Sequence, residues 1–216
     1  MSAVANPESG LDADERIAIV NEINNEVTGS ARRAEMRRDN LPHRATYVFI
    51  QAPGGERETN PDLWVQKRTM IKDYCPGLLD PSTGGVVGHG ESYEDNARRE
   101  LEEEMGVKAT PGTGGGSGSG SGRADGELRH CFSFHYKDNH TNVWGDAWDC
   151  VWGGEIVPQP EEVQSVHRYS LSELIAGQDK AGEKLESTPD GVIALEKYRD
   201  WLAEQRTQGG GASSSS

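Results

Sequence analysis

The stretch Tyr93 to Met105 constrains the fold of this chain more than any other, because both ends and both faces of a helix are written in it. Ser92 followed by Asp95 is a capping-box-like start, with Asp in place of the usual Glu or Gln. Gly106 is a natural C-terminal stop. Ala97, Leu101 and Met105 recur at i, i+4 and i+8, an apolar stripe suited to packing on a sheet. Glu100, Glu103 and Glu104 occupy a neighbouring face. Like charges at those spacings repel by up to about 0.5 kcal/mol per pair, and in the last turns the helix dipole disfavours them further. A divalent cation held by the carboxylates would offset both penalties. A solvated acidic face is the plainer alternative.

The flanking segments predict strands and further helices. Ile17 to Asn21 reads as a short strand and Asn24-Asn25-Glu26 as a turn. Ala31 to Arg38 is helix-like. Thr46 to Gln51 is β-branched and aromatic and reads as a buried strand, broken by Pro53-Gly54-Gly55. Leu63 to Arg68 is the next strand, antiparallel to the last. Asp73 to Gly88, rich in Gly and Pro, is expected to be irregular. Leu128 to Tyr136 and Val143 to Ile156 are strand-like, and Leu171 to Ile175 and Gly191 to Glu204 helical. Strands and helices mix without βαβ alternation, which predicts an α/β fold with a mixed sheet.

Apolar residues concentrate between Ile17 and Leu202, so one folded domain at 16–206 is expected, with a flexible N-terminus at 1–15 and a disordered tail at 207–216. Thr110 to Gly122 is a Gly/Ser run that behaves as a flexible coil; we read it as a loop insertion rather than an interdomain linker, because neither flank alone makes a complete domain. The net charge of −14 repels polyanions, which argues against a nucleic-acid polymer as partner and leaves a small phosphorylated ligand open. Cys75, Cys131 and Cys150 lack metal-type spacing and imply no disulfide framework. No signal-peptide pattern and no membrane-length apolar run is visible, so a cytoplasmic protein without membrane association is expected. The oligomeric state is not legible.

The acidic helix lies within a longer pattern. Gly85, Glu91, Arg99, Glu100, Leu101, Glu103, Glu104, Gly106 and Val107 fit G-x5-E-x7-R-E-U-x-E-E-x-G-U, where U is aliphatic, at all nine specified positions over 23 residues. This resembles the Nudix box. The resemblance implies an α/β/α sandwich around a mixed sheet and one or more Mg²⁺ or Mn²⁺ ions on the helix carboxylates. It makes Glu103 and Glu104 the principal ligands, Glu100 a ligand or the general base, and Arg99 the residue that orients Glu100 or Glu91. It adds the carbonyl of Gly84 to the metal shell. The implied reaction is attack of water on phosphorus of a P–O–P linkage in a small organic or nucleoside diphosphate. The metal would neutralise the diphosphate and lower the pKa of the water.

Outside the box, IVNE near Ile19, HRATY at His43 to Tyr47, VQKRTMIKDYCPGLLD at Val65 to Asp80 and NVWGDAW at Asn142 to Trp148 are similar to the Nudix hydrolases closest to isopentenyl-diphosphate isomerase. In the isomerase a catalytic cysteine precedes the helix; Gly84 stands at that position here, and Cys75 lies nine residues earlier. Of the isomerase's metal-binding histidines only His43 has a counterpart, and the strand from Val143 offers Asp146 and Asp149 in place of Glu-x-Glu. The hydrolase is therefore preferred, with the isomerase and a non-catalytic sensor of phosphorylated ligands as alternatives. Arg68 and Lys72 match basic positions that contact diphosphate, and with Lys67 form a positive cluster; salt bridges to acids such as Asp73 are the alternative.

Three weaker features have structural readings that are preferred here. His43 is read as a hydrogen-bonded structural histidine rather than a ligand. Trp144, Trp148 and Trp152 share a strand face and are read as core under a helix rather than as a stacking platform for substrate. Glu161 and Glu162 precede Val163 and are read as a surface loop rather than the source of a base.

Overall fold

The computed structural model describes residues 13–54, 59–110 and 125–209. Nearly all of the expected flexible N-terminus and Gly/Ser insertion, and residues 210–216 of the expected tail, lie outside the described residues.

The elements run β1 (Arg16–Val20), β2 (Val27–Arg32), α1 (Arg33–Arg38), β3 (His43–Gln51), β4 (Asp62–Arg68), β5 (Leu79–Asp80), α2 (Tyr93–Met105), β6 (Arg129–Lys137), β7 (Asn142–Val151), β8 (Val163–Ser170), α3 (Leu171–Ala176) and α4 (Pro189–Gly209). β3 is the axis of an eight-stranded mixed sheet. Along one edge it pairs in parallel with β7 over its whole length. Its other edge is shared by β1 at His43 and β4 at Ile50 and Gln51. β3 is apolar on both faces because both are covered. Val48 and Ile50 pack with Ala97, Leu101 and Met105 of α2. Tyr47 and Phe49 pack on the opposite side with Leu171 and Leu174 of α3 and Leu195 and Tyr198 of α4. Phe49 and Tyr198 stack with ring centroids 4.3 Å apart. The result is an α/β/α sandwich.

The sheet holds three strands that local sequence did not reveal; the shortest, β5, lies within the segment 73–88 that was expected to be irregular and pairs with Gln66 and Lys67 of β4. β2 takes residues 31 and 32 from the expected helix, because Arg16 to Val20 offers backbone partners through an antiparallel hairpin. It is a largely exposed edge strand, so it lacks apolar alternation. β8 is mostly half-exposed too, and owes its conformation to a seven-residue ladder with β4. β7 ends at Val151, short of the expected Ile156, where Gly153 and Gly154 follow. α4 runs past the expected end at Glu204 and is helical through Gly209. Among the described residues no helix is long and apolar enough to cross a membrane.

Candidate active site

β4 leaves β3 after two residue pairs and continues beside β8 and β5. The segment 83–86 fills the edge of β3 so released, through Val48↔Thr83 and Ala45↔Val86. A cleft of about 290 Å³ opens at this split, reached by α2 from one side and by the turn after β4 from the other.

α2 has the caps its sequence implies. The Ser92 side chain accepts from the Asp95 amide, and Gly106 closes the helix at φ 67°. Ala97, Leu101 and Met105 are fully buried. That leaves the three glutamates on the cleft side in graded environments: the side chains of Glu104, Glu100 and Glu103 are 1%, 14% and 53% exposed. The like-charge penalty is met by two cations. Arg99 lies 2.9 Å from Glu91 Oε1, 3.0 Å from Glu100 Oε1 and 2.9 Å from Glu103 Oε2. Lys72 Nζ donates to Glu104 Oε1 at 2.7 Å and also pairs with Glu162.

Glu91 is held from three sides. Its carboxylate accepts from Arg99, from the Gly88 amide at 2.9 Å and from Asn96 Nδ2 at 2.9 Å. Burial raises its pKa, but these bonds outweigh burial and leave it lowered. Asn96 is fully buried; it also donates to the Val86 carbonyl and accepts from Thr46 Oγ1 at 2.6 Å, so it locks the start of α2 to β3. Glu100 is the opposite case. Burial first, then the charge of Glu104, push it up to about 8. Its carboxylate lies so close to Gly85 that a Cβ there would meet Oε1 at 2.5 Å. A Cβ on Gly84 would meet the Thr46 carbonyl oxygen at 2.1 Å. The two glycines are what let the strand segment run between β3 and the helix carboxylates.

Arg68 and Lys72 both line the cleft, but neither pairs with Asp73. Arg68 donates to Asp80 Oδ2 at 2.8 Å and to the Tyr74 carbonyl. Asp73 is engaged by Arg33 and Arg37 instead, which hold its carboxyl below the usual range against the effect of burial. Lys67 is not among the lining residues.

The cleft is lined by hard oxygen donors. Among the described residues no three carboxylates, imidazoles or thiols close on one point. The Lys72 ammonium lies where Glu104 and Glu162 converge. Beside it, Gln66 donates to Glu104 Oε2 at 2.9 Å while its own buried amide oxygen has no donor. Gly84 and Gly85 line the same cleft. Carboxylate and carbonyl oxygens suit Mg²⁺ or Mn²⁺.

Several residues of the site escaped sequence reasoning. Glu162 sits in the cleft rather than on a surface loop. Gln66 was detectable, since it shares one face of β4 with Arg68, polar where a strand interior should be apolar. Asn96 and Asp80 carried no local signal. His43 is buried, and Nδ1 lies 2.8 Å from the Leu41 carbonyl, as expected of a structural histidine, although its ring also borders the cleft. None of the three tryptophans lines the cleft. Trp148 and Trp152 pack on the cluster beneath α2, and Trp144 stacks on His135 with centroids 5.2 Å apart.

Comparison with known proteins bears on the same segment. The NUDIX domain family pattern matches residues 41–190. An uncharacterized Nudix hydrolase of Salmonella typhi, YfcD, is 36% identical over 185 residues, which is 86% of this chain and 85% of the relative. An uncharacterized Nudix hydrolase of Streptomyces coelicolor is 34% identical over 193 residues, covering 88% of this chain and 91% of the relative. Among solved structures, DR0079 from Deinococcus radiodurans superposes with a TM-score of 0.62 at 23% identity, over 85% of this chain and 98% of that one.

Proposed function

The chain belongs to the Nudix hydrolase family, and from that premise we propose that it cleaves the P–O–P linkage of a small organic or nucleoside diphosphate with Mg²⁺ or Mn²⁺. The observation that carries this reading is that Glu100, Glu103 and Glu104 line the same cleft as Arg68 and Lys72. Glu103, Glu104 and the Gly84 carbonyl would hold the metal, with Glu100 either joining them or taking the proton from water. When bound, the metal supplies charge neutralisation of the diphosphate and a lowered pKa for the attacking water. Arg99 keeps Glu100 and Glu103 oriented against Glu91. Arg68 and Lys72 supply positive charge for the phosphates. Asn96 and Gly85 act through the carboxylates: one anchors Glu91, the other leaves room for Glu100.

The isomerase reading has less support, because no cysteine lines the cleft among the described residues. Cys75 lies outside the lining, and burial pushes its thiol up. The test is a panel of nucleoside and terpenoid diphosphates incubated with purified protein and Mg²⁺ or Mn²⁺. Wild type is expected to release a phosphorylated product from at least one, and Glu103→Gln to lose on the order of 10²-fold or more in kcat. No product across the panel, or equal turnover by Glu103→Gln, refutes the proposal.

A further inference from the structure

Lys72 is placed against the drift of its own segment. It ends a turn after β4 whose preceding residues Met70 and Ile71 are 73% and 38% exposed, yet its own side chain is 5% exposed. The turn is tied to the loop before β8: the Thr69 amide donates to the Glu162 carbonyl at 3.1 Å, and Thr69 Oγ1 to the Glu161 carbonyl at 2.9 Å. These bonds set the lysine stem opposite α2. Its ammonium then bridges Glu104, which is 1% exposed, and Glu162. A carboxylate buried as deeply as Glu104 requires a cation or a proton.

We infer that Lys72 is the built-in counter-ion of the metal site: its ammonium holds the place of a divalent cation between Glu104 and Glu162, and cation binding displaces it. The inference rests on the metal-site reading above and deepens it: the cation shares Glu104 with that ligand set and gains Glu162, while the charge of Glu103 is balanced by Arg99. Two carboxylates and one ammonium leave a net charge of −1; the same carboxylates with a divalent cation are neutral, and the ammonium becomes surplus. The four-carbon lysine stem lets the head group swing without moving the backbone, and the surplus charge faces the cleft that receives a diphosphate. Lys72 thus keeps the site folded without metal, sets how tightly metal is held, and becomes available to substrate when metal enters. By reciprocity, whatever draws Lys72 away from Glu104 strengthens metal binding by the same factor.

The test is Mn²⁺ binding to the full chain, read by electron paramagnetic resonance of free Mn²⁺ and by the Mn²⁺-induced shift in Tm. Lys72→Gln keeps an N–H donor for Glu104 and removes only the charge; Lys72→Met removes both. Both variants are expected to bind Mn²⁺ about tenfold or more tightly than wild type, and to gain more Tm from saturating Mn²⁺. Lys197→Met, which removes an equal charge from an exposed position on α4, is expected to leave affinity within about twofold. If Lys72→Met folds poorly without metal, Mn²⁺ rescue of its Tm supports the inference, and Lys72→Gln gives the affinity. Wild-type affinity or weaker in folded Lys72→Gln overturns the inference alone. Failure of wild type to bind Mn²⁺ overturns it together with the metal-site reading.

Discussion

Lowering the pH from 7 to 5 should remove about 2 kcal/mol of folding stability through His43 alone. Burial first, and then the nearby charge of Arg37, depress its pKa from 6.5 to about 3 in the folded protein. The Nδ1 contact to the Leu41 carbonyl puts the neutral ring's proton on Nδ1 and by itself raises the pKa, but burial outweighs it. The unfolded chain therefore binds a proton between pH 6.5 and about 3 that the folded chain refuses. The contribution is complete above pH 6.5 and is lost progressively as the pH falls toward 3. At pH 5 the unfolded imidazole is protonated about thirtyfold over neutral, which is about 2 kcal/mol; near pH 3 the loss approaches about 5 kcal/mol. Carboxylates titrate in the same range, so the measurement is a difference. Urea denaturation at pH 7 and pH 5 is compared for wild type and His43→Asn, whose amide reproduces the Nδ1 donor. Wild type should lose about 2 kcal/mol more than the variant between the two pH values. Equal losses, or an imidazole titrating near 6.5 by NMR in the folded protein, would refute the buried neutral histidine.

Two further predictions concern the helix carboxylates. Gly85→Ala places a Cβ 2.5 Å from Glu100 Oε1; the carboxylate must yield by about 1 Å, and steady-state kinetics should show kcat reduced by roughly 10- to 100-fold while the urea midpoint changes little, because the displaced atoms end a side chain. An unchanged kcat would remove Glu100 from the reaction. Arg99→Lys keeps the charge but cannot reach Glu91, Glu100 and Glu103 together; kcat should fall by about tenfold or more, with stability altered by only about 1 kcal/mol because Arg99 is 38% exposed. A stability loss with unchanged kcat would make Arg99 a structural residue.

Much of α2 was legible because its determinants are local. Its caps, its apolar stripe and its acidic face lie within fifteen consecutive residues from Ser92 to Gly106, and the observed helix spans Tyr93–Met105 as expected. The buried strand β3 was legible for the same reason, since its residues are apolar regardless of partner. β2 and β8 were not, because a half-exposed strand is specified by the neighbour that accepts its backbone bonds and not by its own side chains.

The site divides along the same line. The sequence alone determined which carboxylates share a helix face and that Arg99 stands beside them, because helical periodicity converts spacing into position; Gly85 and Glu91, which precede the helix, joined them only through the resemblance to the Nudix box. Only the tertiary structure decided what opposes that face. The split between β3 and β4 brings Lys72, Arg68, Gln66 and Glu162 to it from across the fold. The cluster read as phosphate-binding, with salt bridges as the alternative, is held toward the cleft by acids of its own: Arg68 by Asp80, and Lys72 by Glu104 and Glu162. These partners lie 12, 32 and 90 residues apart in sequence, and the distances between such segments exist only once the sheet has closed around its core.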